Sequence, residues 1–168
     1  MIEIRKAVAS DAESILKYCK EVGAESDNLT FGAEGVSITL EEERQYLKNI
    51  SHSNKHLYLV AVNGDEIVGL AVFSSFPKAR LAHRAKISLS VRRPLWGNRI
   101  GTRLLETMLD FARNTAGTEI LSLEVRSDNE RAIALYKQFG FEKVGTFEGF
   151  MKINGTDVSC DIMRLRLA

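Results

Sequence analysis

The stretch "WGNRIGTRLL" (residues 96–105) carries Gly97 and Gly101, Arg99 and Arg103, and then the first apolar residues of a helix. Glycine lets backbone N–H groups come close to a ligand. A helix start adds unpaired N–H donors at the positive end of its dipole. The combination suits a phosphate. The plainer reading is a strand-to-helix turn with glycine as punctuation, and spacing alone does not separate the two. The stretch is neither a P-loop nor a dinucleotide-binding fingerprint. Two other residue types could do chemistry. Glu124 in "LSLEVR" is a lone carboxylate among apolar residues. Left to itself it would be a solvated residue or an arginine's partner. Tyr136 lies in "NERAIALYKQFGF". Its plain role is core packing with the hydroxyl at the edge.

The elements that must position these residues can be read from period and punctuation. "IEIRKAV" alternates as a strand. In "SDAESILKYCKEV", Ser10 is the expected N-cap with Glu13 as capping-box partner, and Ile15, Leu16, Cys19 and Val22 share a face. "GAESDNLTFGAEGVSI" has no period and reads as a loop or a short broken helix. "TLEEERQYLKNI" opens with Thr39 and Glu42 as a second capping box. "HLYLVAV" and "EIVGLAVFSSF" form two strands joined at Asn-Gly, the strongest short hairpin signal. "RAKISLSV" is a fourth strand, followed by the glycine stretch and a helix to about Asn114. "TEILSLEV" is a fifth strand, with Leu121, Leu123 and Val125 on one face and Ser122 and Glu124 on the other. "NERAIALYKQF" is a helix with Ala132, Leu135, Tyr136 and Phe139 on one face, stopped by Gly140. A hairpin through Asn154-Gly155 closes the chain. The expected fold is a single mixed α/β domain over residues 1–168.

Composition narrows the function classes. The 168 residues are 45% hydrophobic with a net charge of +1, enough for a core and no argument for nucleic acid. No run of apolar residues is long enough to cross a membrane, and the N-terminus lacks a signal-peptide pattern. A cytoplasmic protein with no membrane partner is expected. Cys19 and Cys160 read as reduced, small core residues. His52, His56 and His83 show no metal-ligand spacing, so no metal is expected. "ESDNLTFGAEG", with Glu25, Asp27 and Glu34, either guides a cationic partner or is a solvated acidic loop.

"N-x-x-A-x-x-L-Y-x-x-x-G-F", beginning at Asn129, resembles the GNAT superfamily of acyl-CoA-dependent N-acetyltransferases. The resemblance implies a mostly antiparallel sheet of about seven strands flanked by about four helices. It implies that the backbone of Gly97, Asn98, Arg99, Ile100, Gly101 and Thr102 holds the phosphates of acetyl-CoA. Here the chain departs from the family pattern at two of three marked positions. Trp96 stands for the usual Arg or Gln, and Arg99 for a glycine. The resemblance further implies that Leu89, Ser90 and Val91 pair with the pantetheine arm, with a bulge freeing the Val91 N–H for the thioester oxygen. Asn129 would bond that arm, although an N-cap alone explains it. Tyr136 would be the general acid. "LEVR" before this motif resembles the ribosomal-protein N-terminal alanine acetyltransferases, in which a glutamate twelve residues before the tyrosine serves as base. The interval from Glu124 to Tyr136 is also twelve, 136 minus 124. The implied reaction is direct acetyl transfer to a primary amine, small or at a peptide N-terminus, in a ternary complex. A monomer or homodimer is implied. A catalytically idle acyl-CoA-binding module and a nucleotide-binding protein are the competing readings.

Overall fold

The computed structural model describes residues 1–167. The strands are β1 (Ile2–Lys6), β2 (His56–Asn63), β3 (Glu66–Ser75), β4 (Arg84–Val91), β5 (Ile120–Arg126), β6 (Glu142–Ile153) and β7 (Thr156–Arg166). The helices are α1 (Ala12–Glu25), α2 (Leu40–Ile50), α3 (Ile100–Phe111) and α4 (Glu130–Gln138). The seven strands form one sheet in the order β1-β2-β3-β4-β5-β7-β6, and every pairing is antiparallel except β4 with β5. This is the expected mixed α/β architecture.

Strand alternation gives the sheet two buried faces. Leu57, Leu59, Phe73, Ala85, Ile87, Leu121 and Leu123 pack under α3, where Leu104, Leu105 and Met108 are fully buried. On the opposite face Val60, Val62 and Leu70 pack under Ile15, Tyr18, Cys19 and Val22 of α1 and Leu47 of α2. Both cysteines are buried and free. Tyr18 rather than Leu16 completes the buried face of α1.

Local signals are realised unevenly. Thr39 Oγ1 accepts from the Glu42 N–H at 3.2 Å, and Glu42 accepts from the Thr39 N–H at 2.8 Å, the expected reciprocal cap. Ser10 does not cap α1. It lies in a short 3₁₀ turn, Ala9–Asp11, and the carboxylate that turns back is Asp11, which accepts from the Val8 N–H at 2.7 Å. Arg5 donates to the same carboxylate with bonds of 2.8 and 2.9 Å. α1 also runs through Gly23 to Glu25, beyond the expected stop.

Candidate active site

The site begins where two strands part. β4 and β5 pair only over Arg84–Lys86 and Ile120–Ser122. Beyond this they diverge, while β4 stays paired with β3 through Val91 without a register shift. The expected bulge at Val91 is therefore absent, and splayed parallel strands do its work. Strand periodicity shows which backbone groups face the gap. The Arg84 carbonyl accepts from the Phe76 N–H, and the Arg92 N–H donates to the Val68 carbonyl, so even-numbered residues of β4 point their backbone at β3. Ile87, Leu89 and Val91 then present theirs to the gap. The Ser90 backbone turns toward β3, and its hydroxyl meets the Tyr18 hydroxyl at 3.0 Å. Burial pushes Tyr18 ionisation well above the ordinary tyrosine range, so that phenol stays a neutral hydrogen-bonding group.

The glycine stretch follows directly. The Trp96 indole N–H donates to the Val91 carbonyl at 2.9 Å, tying the loop to the end of β4. Its ring carries Arg93 at 5.2 Å and Arg131, from α4, at 4.5 Å. Gly97 has φ +85°, a conformation open to glycine at little cost. Arg99, just before α3, has φ +61° and ψ +19°. This left-handed conformation strains any residue with a Cβ. A Cβ at Gly101 would meet Leu135 at 3.4 Å and Leu89 at 3.7 Å, ordinary van der Waals contacts where α3, α4 and β4 come together. Arg103 is not part of the loop, because its guanidinium donates to the Ile2 carbonyl at 3.0 Å. Arg99→Gly is expected to stabilise the fold by about 1 kcal/mol, whereas Arg99→Ala retains the left-handed cost. Urea melts of the two variants compare them directly, and equal midpoints would exclude strain at Arg99.

Across the gap stands α4. The Asn129 side-chain oxygen accepts from the Ala132 N–H at 3.2 Å, so the cap uses Oδ1 and leaves Nδ2 available. Tyr136 is buried, its ring packs edge-on against Phe141 at 5.7 Å, and it lines the cavity described below. Burial pushes its hydroxyl up to about 12. Glu124 faces away from the apolar core, as alternation predicts, and Lys86 reaches it at 2.7 Å. The partner is thus a lysine from the neighbouring strand rather than an arginine.

Glu124, Asn129, Tyr136, Leu89, Ser90, Val91, Gly97, Arg99, Ile100, Gly101 and Thr102 all line one cavity of about 1300 Å³. Asn98 does not; its side-chain amide donates to the Leu95 carbonyl at 3.0 Å, closing the turn. The cavity runs through the strand gap from the glycine loop to the α1–α2 loop. An elongated site with phosphate-ready backbone at one end, a protonated phenol in the middle and a carboxylate beyond it suits transfer between two ligands that enter from opposite faces.

The model of the Acetyltransferase (GNAT) family matches residues 15–141. The chain belongs to the GNAT acetyltransferase family. It is 35% identical over 100 residues to the N-alpha-acetyltransferase RimI of Mycobacterium tuberculosis, an alignment spanning 60% of this chain and 61% of that protein. The ribosomal-protein-alanine N-acetyltransferase of Brucella melitensis superposes with a TM-score of 0.84 at 25% identity, covering 98% of this chain and 99% of that one. A putative acetyltransferase from Salmonella typhimurium, solved with its cofactor acetyl-CoA, gives a TM-score of 0.84 at 18% identity, covering 99% of this chain and 94% of that one.

Within the GNAT fold the two departures in the glycine loop acquire a structural account. Trp96 anchors the loop and stacks a guanidinium brought in from α4. Arg99 stands where the family pattern has glycine, and it takes a left-handed conformation there. The acidic loop is mostly spoken for: Glu25 bonds Arg92 Nε at 2.6 Å and the Arg93 N–H at 2.9 Å, and Glu34 accepts from the Gly32 N–H. Arg131 and Lys86 escaped sequence reasoning. Lys86 carried a faint signal as an outward residue beside the fifth strand. Arg131 carried none, since only packing of α4 beside the loop brings it to Trp96. Among the described residues no helix is long and apolar enough to cross a membrane.

Proposed function

We propose that the chain, as one N-acetyltransferase domain over residues 1–168, moves an acetyl group from acetyl-CoA to a primary amine by direct attack in a ternary complex. The observation that carries this reading is the splayed gap, which opens the backbone of Leu89 and Val91 between Tyr136 and the glycine loop. The pantetheine arm lies along Leu89 and Val91 as an added strand, with Asn129 Nδ2 beside it. The loop N–H groups from Gly97 to Thr102, with Arg99 and Arg131 near, hold the phosphates. Ser90 contributes through its side chain, on the acceptor side.

The amine must lose a proton before it attacks, since an alkylammonium has no lone pair. Glu124 takes that proton, directly or through water, and the cationic acceptor displaces Lys86 as it arrives. The nitrogen bonds to the carbonyl carbon, whose oxygen gains charge facing the Val91 N–H. The carbon–sulfur bond breaks as Tyr136 gives its proton to the sulfur, the new amide nitrogen sheds its remaining extra proton to solvent, and Tyr136 regains a proton from solvent. No step uses a metal. The acceptor is a small amine or a peptide N-terminus, the compartment the cytoplasm, and the unit a monomer or homodimer.

A thermal-shift series tests the binding half. Acetyl-CoA is expected to raise the melting temperature, and the phosphate-free thioester acetyl-pantetheine to raise it less. Equal shifts would remove the phosphate role of the loop. A larger shift with ATP or NAD would favour the nucleotide-binding reading. An amine screen that detects released thiol tests the catalytic half. The Lys86–Glu124 ion pair is the observation that would favour an idle acyl-CoA module, and binding of acetyl-CoA without turnover on any amine would establish it.

A further inference from the structure

The far wall of the cavity holds a buried carboxyl group that the reaction does not use. α2 buries two residues, Leu47 and, one turn earlier, Glu43. Glu43 is 3% exposed, and its Oε1 has no hydrogen-bond partner. Among the described residues it forms no ion pair; of the cations that line the same cavity, Lys86 and Arg126 are taken by Glu124 and Asp128, Arg131 stacks on Trp96, and Arg99 lies at the glycine-loop end. Glu43 lines the cavity together with Cys19, Tyr46 and Tyr58. The two tyrosine rings meet edge-on at 6.2 Å. Burial raises the Glu43 carboxyl above its ordinary range, with the Tyr58 hydroxyl pulling weakly the other way. Burial also raises Cys19, to about 11, so it remains a neutral thiol.

An unpaired buried carboxyl oxygen is costly in a folded chain. Its natural complement is a cation, and tyrosine faces suit an ammonium or guanidinium. The sheet sets its distance from the chemistry. Tyr58 pairs with Val72, and Val72 with Ser88 beside the gap. Two strand spacings, roughly 10 Å, separate Tyr58 from Ser88 on the rim of the gap. We propose that Glu43, Tyr46 and Tyr58 form a second acceptor subsite, which receives a cationic group carried roughly 10 Å from the amine that is acetylated. The proposal rests on the acetyltransferase reading and narrows its acceptor to a dication. Two sources have this chemistry: an aliphatic diamine or polyamine, and a peptide whose third residue is lysine or arginine, since three extended residues span about 10 Å.

The test measures acetyl transfer by wild type and Glu43→Gln with acceptors matched for length. 1,7-Diaminoheptane and spermidine are compared with n-heptylamine. Tripeptides beginning with alanine and ending with lysine are compared with those ending in norleucine. In one arm the dication is expected to have a KM about tenfold below its monocationic match in wild type. Glu43→Gln is expected to erase that ratio while leaving the monocation's KM and kcat in place. The arm that shows the preference names the source. Transfer with no dication preference in either arm overturns the subsite alone. So does a preference that survives Glu43→Gln, or a variant whose melting temperature shifts while every KM holds, which marks a structural acid. Transfer to no amine at all, with acetyl-CoA bound, overturns the acetyltransferase reading and the subsite with it.

Discussion

Tyr136→Phe is expected to lower kcat about 10- to 1,000-fold with little change in acetyl-CoA affinity. The substitution keeps the ring, its edge-on contact with Phe141 and its place in the core, and removes only the hydroxyl. Burial, which disfavours the phenolate, sets the sign of the pH dependence. With ionisation raised to about 12, the group stays protonated where an ordinary tyrosine, near 10, is half ionised. The wild-type rate is therefore expected to show no fall from loss of this acid up to about pH 10, and to lose it only as pH rises through the raised value. The Phe variant is expected to stay slow throughout, because a departing thiolate gains no proton from a more alkaline solvent. A pH profile of kcat for both proteins measures this. A fully active Phe variant would make the hydroxyl a bystander at the edge of the core.

Glu124→Gln is expected to produce a loss that depends on pH. Near pH 7 almost all of an alkylamine is charged, and a variant without a proton acceptor draws on the small free fraction. The expected loss there is about 100-fold or more. It shrinks as pH climbs toward the amine's own value near 10, where free amine becomes plentiful. The Lys86 ammonium, 2.7 Å from the carboxylate, loses its partner in this variant as well. A structural fault from that loss would depress the rate equally at every pH. A flat deficit would accordingly move Glu124 from proton acceptor to positioning residue. The contrast between the two profiles, one rescued by alkali and one not, separates base from acid without knowledge of the natural acceptor.

What the sequence determined by itself was local. Thr39 and Glu42 close a reciprocal cap because the interaction spans three residues. Asn154 and Gly155 both take positive φ, at +50° and +77°, as the tight hairpin turn requires. In the first hairpin Asn63 already pairs with Glu66, so Gly64 and Asp65 form the turn and only Gly64, at φ +63°, needs that freedom. The alternation of Leu121, Leu123 and Val125 with Glu124 and the face of α4 that buries Tyr136 follow from strand and helix periods. So does the order of elements, whereas the family was carried by the motif that begins at Asn129. The tertiary structure alone decided the rest, because each feature joins residues far apart in the chain. Divergence of β4 from β5 is a matter of how two strands twist apart, which no local period encodes. Lys86 meets Glu124 only through the β4–β5 register. Arg131 reaches Trp96 only because α4 packs beside the glycine loop, and Arg103 leaves that loop because β1 offers a carbonyl. Glu43 is the last of three consecutive glutamates in the sequence, and it is the one buried because α2 turns that face to Tyr58.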